Sequence, residues 1–192
     1  ALLYFSLGRG DYPTELQRFL ARARVGDDEG AAMLLKQGAT GSDASDGRGQ
    51  LAMRDFAYRG FARWFPPVLY FWLLGPFAAA FYRLVELSNT ASDGRFEAAL
   101  KILDWLPSRL LLLTFSLLGD FERSRGLLTS DAFDNEISSE VLLANGIERA
   151  WHLDEEDLDD PQGVVLAVET TQKAMNRATG AWVVVASVLA LL

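Results

Sequence analysis

The sequence predicts an all-α, polytopic integral membrane protein with amphipathic helices between its membrane segments. Three observations carry this expectation. Half of the 192 residues are hydrophobic and only 23% are charged. The apolar residues are collected in blocks rather than spread at helix or strand period, as a bilayer requires. Residues 65–84 (FPPVLYFWLLGPFAAAFYRL) hold no charge until Arg83, and about 20 helical residues span the roughly 30 Å hydrocarbon core.

Composition narrows the function classes. The net charge is −8 and no basic stripe is present, so nucleic acid is not an expected partner. Cysteine is absent and His152 is the single histidine. That excludes disulfides and thiolate chemistry and leaves no histidine cluster for a zinc site. No signal peptide is legible at the start.

Along the chain, residues 1–7 (ALLYFSL) read as the end of a membrane helix, stopped by Gly8-Arg9-Gly10-Asp11. Residues 8–64 read as a helical extramembrane region. In it Leu16, Phe19, Leu20 and Ala23 recur at helical spacing after Pro13 and Thr14. Gly26-Asp27-Asp28 turns into a second helix with Ala31, Ala32, Leu34 and Leu35. Residues 38–49 (GATGSDASDGRG) have a linker's composition and no Gly-Lys-Ser/Thr phosphate loop. Residues 51–64 form a basic, aromatic amphipathic helix whose Arg54, Arg59 and Arg63 suit the membrane interface.

Residues 65–84 are expected to be one membrane helix. Gly75-Pro76 should kink it, and Gly75, Pro76, Ala78 and Ala79 offer a smooth surface to a neighbouring helix. Residues 85–121 then read as an amphipathic helix, interrupted near residues 89–94, and a short apolar helix. The uncharged part, residues 110–119, is too short to cross alone and suits a re-entrant, interfacial or core-buried position. Residues 122–180 are an acidic helical extramembrane region, and residues 181–192 (AWVVVASVLALL) begin a C-terminal membrane helix. The basic residues of residues 8–64 favour a cytoplasmic side for that region; the side taken by residues 120–180 is left open.

Ionisable residues tied to apolar segments are the candidate site, because charge there is costly. Arg83 ends the central segment, and Asp104 and Arg109 bracket Trp105-Leu106-Pro107-Ser108. Together Arg83, Asp104 and Arg109 could bind an anionic head group or phosphate; the alternative is snorkelling arginines with a structural ion pair. The acidic run 154–160 (DEEDLDD) lacks the spacing and central glycine of an EF-hand loop.

Two of these segments carry a resemblance. Residues 74–83 (LGPFAAAFYR) and 103–110 (LDWLPSRL) resemble, in order, two signatures of the membrane-protein family joining AmpE to the cobalamin-pathway enzymes CbiB and CobD. Residues 4–11, 61–65 and 117–121 are similar to the AmpE branch. The enzyme branch's Glu-Asn-x-Ser-Asp-Gly motif has no counterpart, the equivalent region reading Asp55-Phe56-Ala57-Tyr58-Arg59-Gly60-Phe61. Tyr82-Arg83 is followed by Leu84-Val85-Glu86-Leu87 rather than by the enzymes' polar continuation.

The resemblance therefore implies a bacterial inner-membrane regulatory or accessory protein, linked to β-lactamase induction and cell-wall recycling and without catalysis. It implies no cofactor. The expected partners are the lipid bilayer, other membrane proteins or an anionic lipid-linked ligand. A diverged CbiB-type amide-forming enzyme and a subunit of a larger membrane assembly are the alternatives.

Overall fold

A computed structural model describes residues 12–35, 47–91, 94–134, 137–153, 158 and 160–191. These form eight α-helices and one 3-10 turn, with no strand among them. The helices are α1 (Tyr12–Arg24), α2 (Asp28–Ala32), α3 (Arg48–Leu74), α4 (Pro76–Ala91), α5 (Glu97–Leu118), α6 (Phe121–Thr129), α7 (Ser139–Ala150) and α8 (Pro161–Leu191); the 3-10 turn (Asp131–Phe133) follows α6. The all-α expectation holds. The expected membrane stretch at residues 1–7 and most of the linker 38–49 lie outside the described residues, as does the acidic run apart from Leu158 and Asp160.

Helix α1 buries Leu16, Phe19, Leu20 and Ala23, the four residues its spacing singled out. They pack on Ala52 and Phe56 of α3 and on Val164 and Val168 of α8. The main core lies between α3, α5, α7 and α8, where Met53, Phe61, Leu111, Phe115, Leu143 and Ile147 are all fully buried. Gly60 of α3 faces Met175 of α8, and the Phe65 ring meets Trp182 with centroids 5.1 Å apart. Both helices advance together, so they run parallel.

The helix expected at residues 51–64 forms, and its apolar side enters the core. It is the first half of α3, and Met53, Phe56, Ala57 and Phe61 are fully buried. Arg59 ties α3 to α1 and to the turn after α2. It donates to Asp55 Oδ1 at 2.9 Å, Glu15 Oε2 at 3.0 Å and the Leu34 carbonyl at 3.1 Å. Phe56 and Phe61 of this aromatic stretch are core residues, a distinction that composition does not make.

Residues 65–84 are not one helix. Pro66 and Pro67 sit inside α3, which continues to Leu74 and stops at Gly75 (φ 89°, ψ −175°). That conformation is open essentially to glycine alone. Pro76 then starts α4 where its missing N–H costs nothing. The chain reverses here: the Tyr70 and Tyr82 rings lie 5.9 Å apart, whereas twelve residues of continuous helix would separate them by about 18 Å. The expected kink is a helical hairpin. Among the described residues no helix is long and apolar enough to cross a membrane.

Two further segments merge with their neighbours. Residues 110–119 are the second half of α5, which runs through Pro107 without a break. Residues 181–191 continue α8 through Gly180. Of the small residues expected to pack a neighbour, Ala79 is fully buried and Ala78 half-buried, while Gly75 marks the turn and Pro76 is exposed.

Candidate functional site

Asp104 is the most buried carboxylate of the described residues, 2% exposed. It sits on α5 where that helix meets the α3–α4 hairpin. Each of its oxygens accepts one phenol: Tyr58 of α3 donates to Oδ2 at 2.7 Å, and Tyr82 of α4 donates to Oδ1 at 2.8 Å. Tyr82 is itself fully buried. One carboxylate therefore pins three helices, and a charge-assisted bond of this kind is about twice as strong as a neutral one.

The neighbouring tyrosine uses a gap that the sequence provides. Pro107 has no N–H, so the Leu103 carbonyl four residues earlier loses its helical donor. Tyr70 fills it, donating to Leu103 O at 2.6 Å. The helix-breaking residue of the segment 103–110 is thus the point at which α3 grips α5.

Burial pushes the Asp104 carboxyl up from 3.8 to about 6; the bonds from Tyr58 and Tyr82 oppose this, and the charge of Glu86 adds to it. Glu140 at the start of α7 is raised to about 7, first by burial and then by Asp55, Asp104 and Glu97, with Arg54 opposing. Burial, with Asp104 alongside, raises the Tyr58 phenol well above its ordinary value, so it stays a donor at any physiological pH. Five carboxyl groups, Asp55, Glu86, Glu97, Asp104 and Glu140, from α3, α4, α5 and α7, thus act on one junction.

The other two candidate residues are engaged separately. Arg83 pairs with Glu86 one turn along α4. Arg109 stacks over the Trp105 ring at 4.7 Å and donates to the carbonyls of Ala132 at 2.7 Å and Asp134 at 3.0 Å. It also reaches the Trp105 carbonyl and the Ser108 hydroxyl, both at 3.2 Å. It holds the 3-10 turn onto α5. Asp104 and Arg83 share Glu86 as a neighbour, while Arg109 serves the other side of α5. An anion bound at either arginine would have to displace Glu86 or these carbonyls.

Asp120 and His152 are also placed. Asp120 caps α6 by accepting from Arg123 N at 3.2 Å, and its Oδ2 lies 3.3 Å from His152 Nε2. A polar hollow of about 410 Å³ opens beside them, lined by Arg123, Asn145, Glu148 and Arg149. No group of three metal-ligating side chains occurs among the described residues. Tyr58, Tyr70 and Glu140 were not singled out from sequence. Their partners are 46 and 33 residues away for the two tyrosines, beyond the reach of any local pattern. Pro107 was the one available signal, since it announces a free carbonyl.

Chemically, the Asp104 node can hold helices together and can hold or release a proton near pH 6. Each carboxylate oxygen already accepts one phenol and the group is 2% exposed, so a substrate has no open path to it. Comparison of the chain with known protein families, with curated proteins and with solved structures finds no match.

Proposed function

We propose that this chain is a membrane-embedded regulatory or accessory protein of the bacterial inner membrane, of the AmpE type, acting through helix contacts rather than catalysis. The observation carrying this reading is the apolar end of the helix bundle. Trp72, Leu73 and Leu74 finish α3, and Phe77, Phe81 and Leu84 line the outer face of α4; they are all exposed, from 40% at Trp72 to 82% at Phe77. Val183, Val184 and Val188 of α8, more than half exposed, belong to the same end because α8 runs parallel to α3. Exposed apolar area this contiguous is costly in water and marks a membrane or protein contact.

In this reading the α3–α4 hairpin enters the hydrocarbon as a re-entrant element, which is permitted where its polar backbone is satisfied within helices. Anchoring then rests on the apolar end of α8, residues 181–191. The occupied Asp104 node and the absence of an enzyme-type motif favour accessory function over amide synthesis. Partners are the bilayer and, through the exposed α4 face, another membrane protein; an anionic lipid-linked ligand near Arg83 is less favoured, because Glu86 already neutralises it.

The test is genetic. Removing the gene should alter β-lactamase induction and the pool of recycled cell-wall fragments. Induction and pools identical to the parent strain would remove the regulatory reading.

A further inference from the structure

Trp64, Val68 and Trp72 recur every four residues and so form one ridge of α3. Across from them, on the parallel helix α8, stand Trp182, Val183 and Ala186, and a groove of about 250 Å³ lies between the two rows. Its floor is fixed in place. The Phe65 ring meets Trp182 with centroids 5.1 Å apart, and the Trp182 indole N–H donates to Thr114 Oγ1 of α5 at 3.0 Å. A groove held open in this way is filled without rearrangement, which favours binding.

Four side chains around the groove carry a polar group. Trp182 is satisfied by Thr114, and the Thr179 hydroxyl donates to Met175 O at 2.8 Å. The other two are the indole N–H groups of Trp64 and Trp72, and neither donates a hydrogen bond to any described residue. They are eight helical residues, about 12 Å, apart along the α3 wall. A wholly apolar occupant leaves both donors idle. An amphiphile with an apolar chain and a carbonyl acceptor fills the trough and engages a donor as well.

Size selects the apolar part. A cavity of about 150 Å³ accommodates one benzene, and sites for whole drug-sized ligands occupy about 300–1,000 Å³. A groove of about 250 Å³ therefore takes a single chain and excludes a head group. Its length of about 12 Å approaches the roughly 15 Å of hydrocarbon in one leaflet, half of the bilayer core. Trp72 and Val183 line the groove and also belong to the exposed apolar end on which the bilayer reading rests, so the groove opens onto that same surface.

We propose that the groove between α3 and α8 binds one acyl chain of a bilayer phospholipid. The chain runs toward Trp72, which borders the apolar end. The ester carbonyl lies at Trp64, whose sequence neighbour is the charged Arg63. The inference rests on the bilayer reading and deepens it, because this lipid is held singly rather than merely surrounding the bundle.

The test is native mass spectrometry of the protein transferred from nanodiscs of phosphatidylethanolamine and phosphatidylglycerol into mild detergent. About one phospholipid should remain per chain. Val68→Trp and Ala186→Phe fill the groove from its two walls, and each should lower the retained fraction at least fivefold with the helical circular dichroism unchanged. Trp64→Phe, which removes only the donor, should lower it at least twofold. Leu113→Trp, on the exposed side of α5, should leave it unchanged. Full retention in both filled variants, or equal loss in Leu113→Trp, would overturn the proposal.

A smaller substitution gives a second readout, since the chain contains no other cysteine. In detergent, Val68→Cys should react with a water-soluble maleimide at least tenfold more slowly once phosphatidylglycerol is added back. Protection that persists in lipid-free detergent would give the groove to another part of the chain or to a second copy, and the proposal would fall. Its failure is separable from that of the bilayer reading. A spin label at Phe77→Cys found in water removes the reading and the lipid site with it. An embedded label with no retained phospholipid removes the site alone.

Discussion

At the scale of single residues, the Asp104–Tyr58–Tyr82 node is the feature whose energetics are best defined. Removing a donor from a buried carboxylate leaves an acceptor oxygen unsatisfied, at about 1–3 kcal/mol. Tyr82→Phe should therefore lower the unfolding free energy by that amount in denaturant titrations. Once Asp104→Asn is present, the additional loss from Tyr82→Phe should be smaller, because the two changes share one bond. The node also sets a pH dependence with a definite sign. Asp104 and Glu140 have carboxyl groups raised to about 6 and about 7 in the folded chain, so folding favours their protonated forms. The stability they supply is fully present below the ordinary carboxyl range, near pH 4, and is lost as pH rises through about 6 to 7. The midpoint of thermal unfolding should rise on acidification from pH 7.5 to pH 5, and Asp104→Asn should flatten that rise. Sequence reading reached Asp104 because a carboxylate beside apolar residues is costly. It did not reach Tyr58, because nothing local joins residues 46 apart.

Among the helices, the informative positions are those where the backbone is unusual. Gly75 has φ 89° and ψ −175°, and a Cβ there would meet nothing within 4 Å. Gly75→Ala should therefore destabilise the hairpin by about 1–3 kcal/mol through backbone strain alone. Gly119 is constrained differently. A Cβ on it would lie 2.4 Å from the Ala150 carbonyl oxygen, which is held in place by Asp120 N at 2.9 Å. Gly119→Ala must separate α5 from α7, and circular dichroism melts should show a larger loss than for Gly75→Ala. The Gly75-Pro76 pair was legible as an interruption of the segment 65–84. Whether an interruption bends a helix or reverses it depends on whether a partner waits on the returning side. Here the partner is Asp104, which receives Tyr82. Pro66, Pro67 and Pro107 taught the opposite lesson, since all three lie inside helices that continue past them.

At the scale of the whole molecule, two kinds of apolar residue have to be told apart. The all-α class follows from helical spacing, and α1 falls close to where that spacing places it. The number of crossings does not follow, because a segment rich in Phe, Trp and Leu suits a bundle core and a bilayer equally well. Phe56, Phe61 and Phe65 went to the core, whereas Phe77 and Phe81 remain 82% and 58% exposed. The outer face of α4 and the ends of α3 and α8 are one part of the apolar surface that the fold leaves uncovered, and the proposal is that the bilayer covers it. The most direct measurement is the immersion depth of a spin label attached through Phe77→Cys in the protein reconstituted into vesicles. The account predicts a label relaxed by dissolved oxygen and shielded from a water-soluble nickel complex, lying below the head groups, with a label at Glu122→Cys in water. A Phe77→Cys label as open to the nickel complex as the one at Glu122→Cys would contradict it.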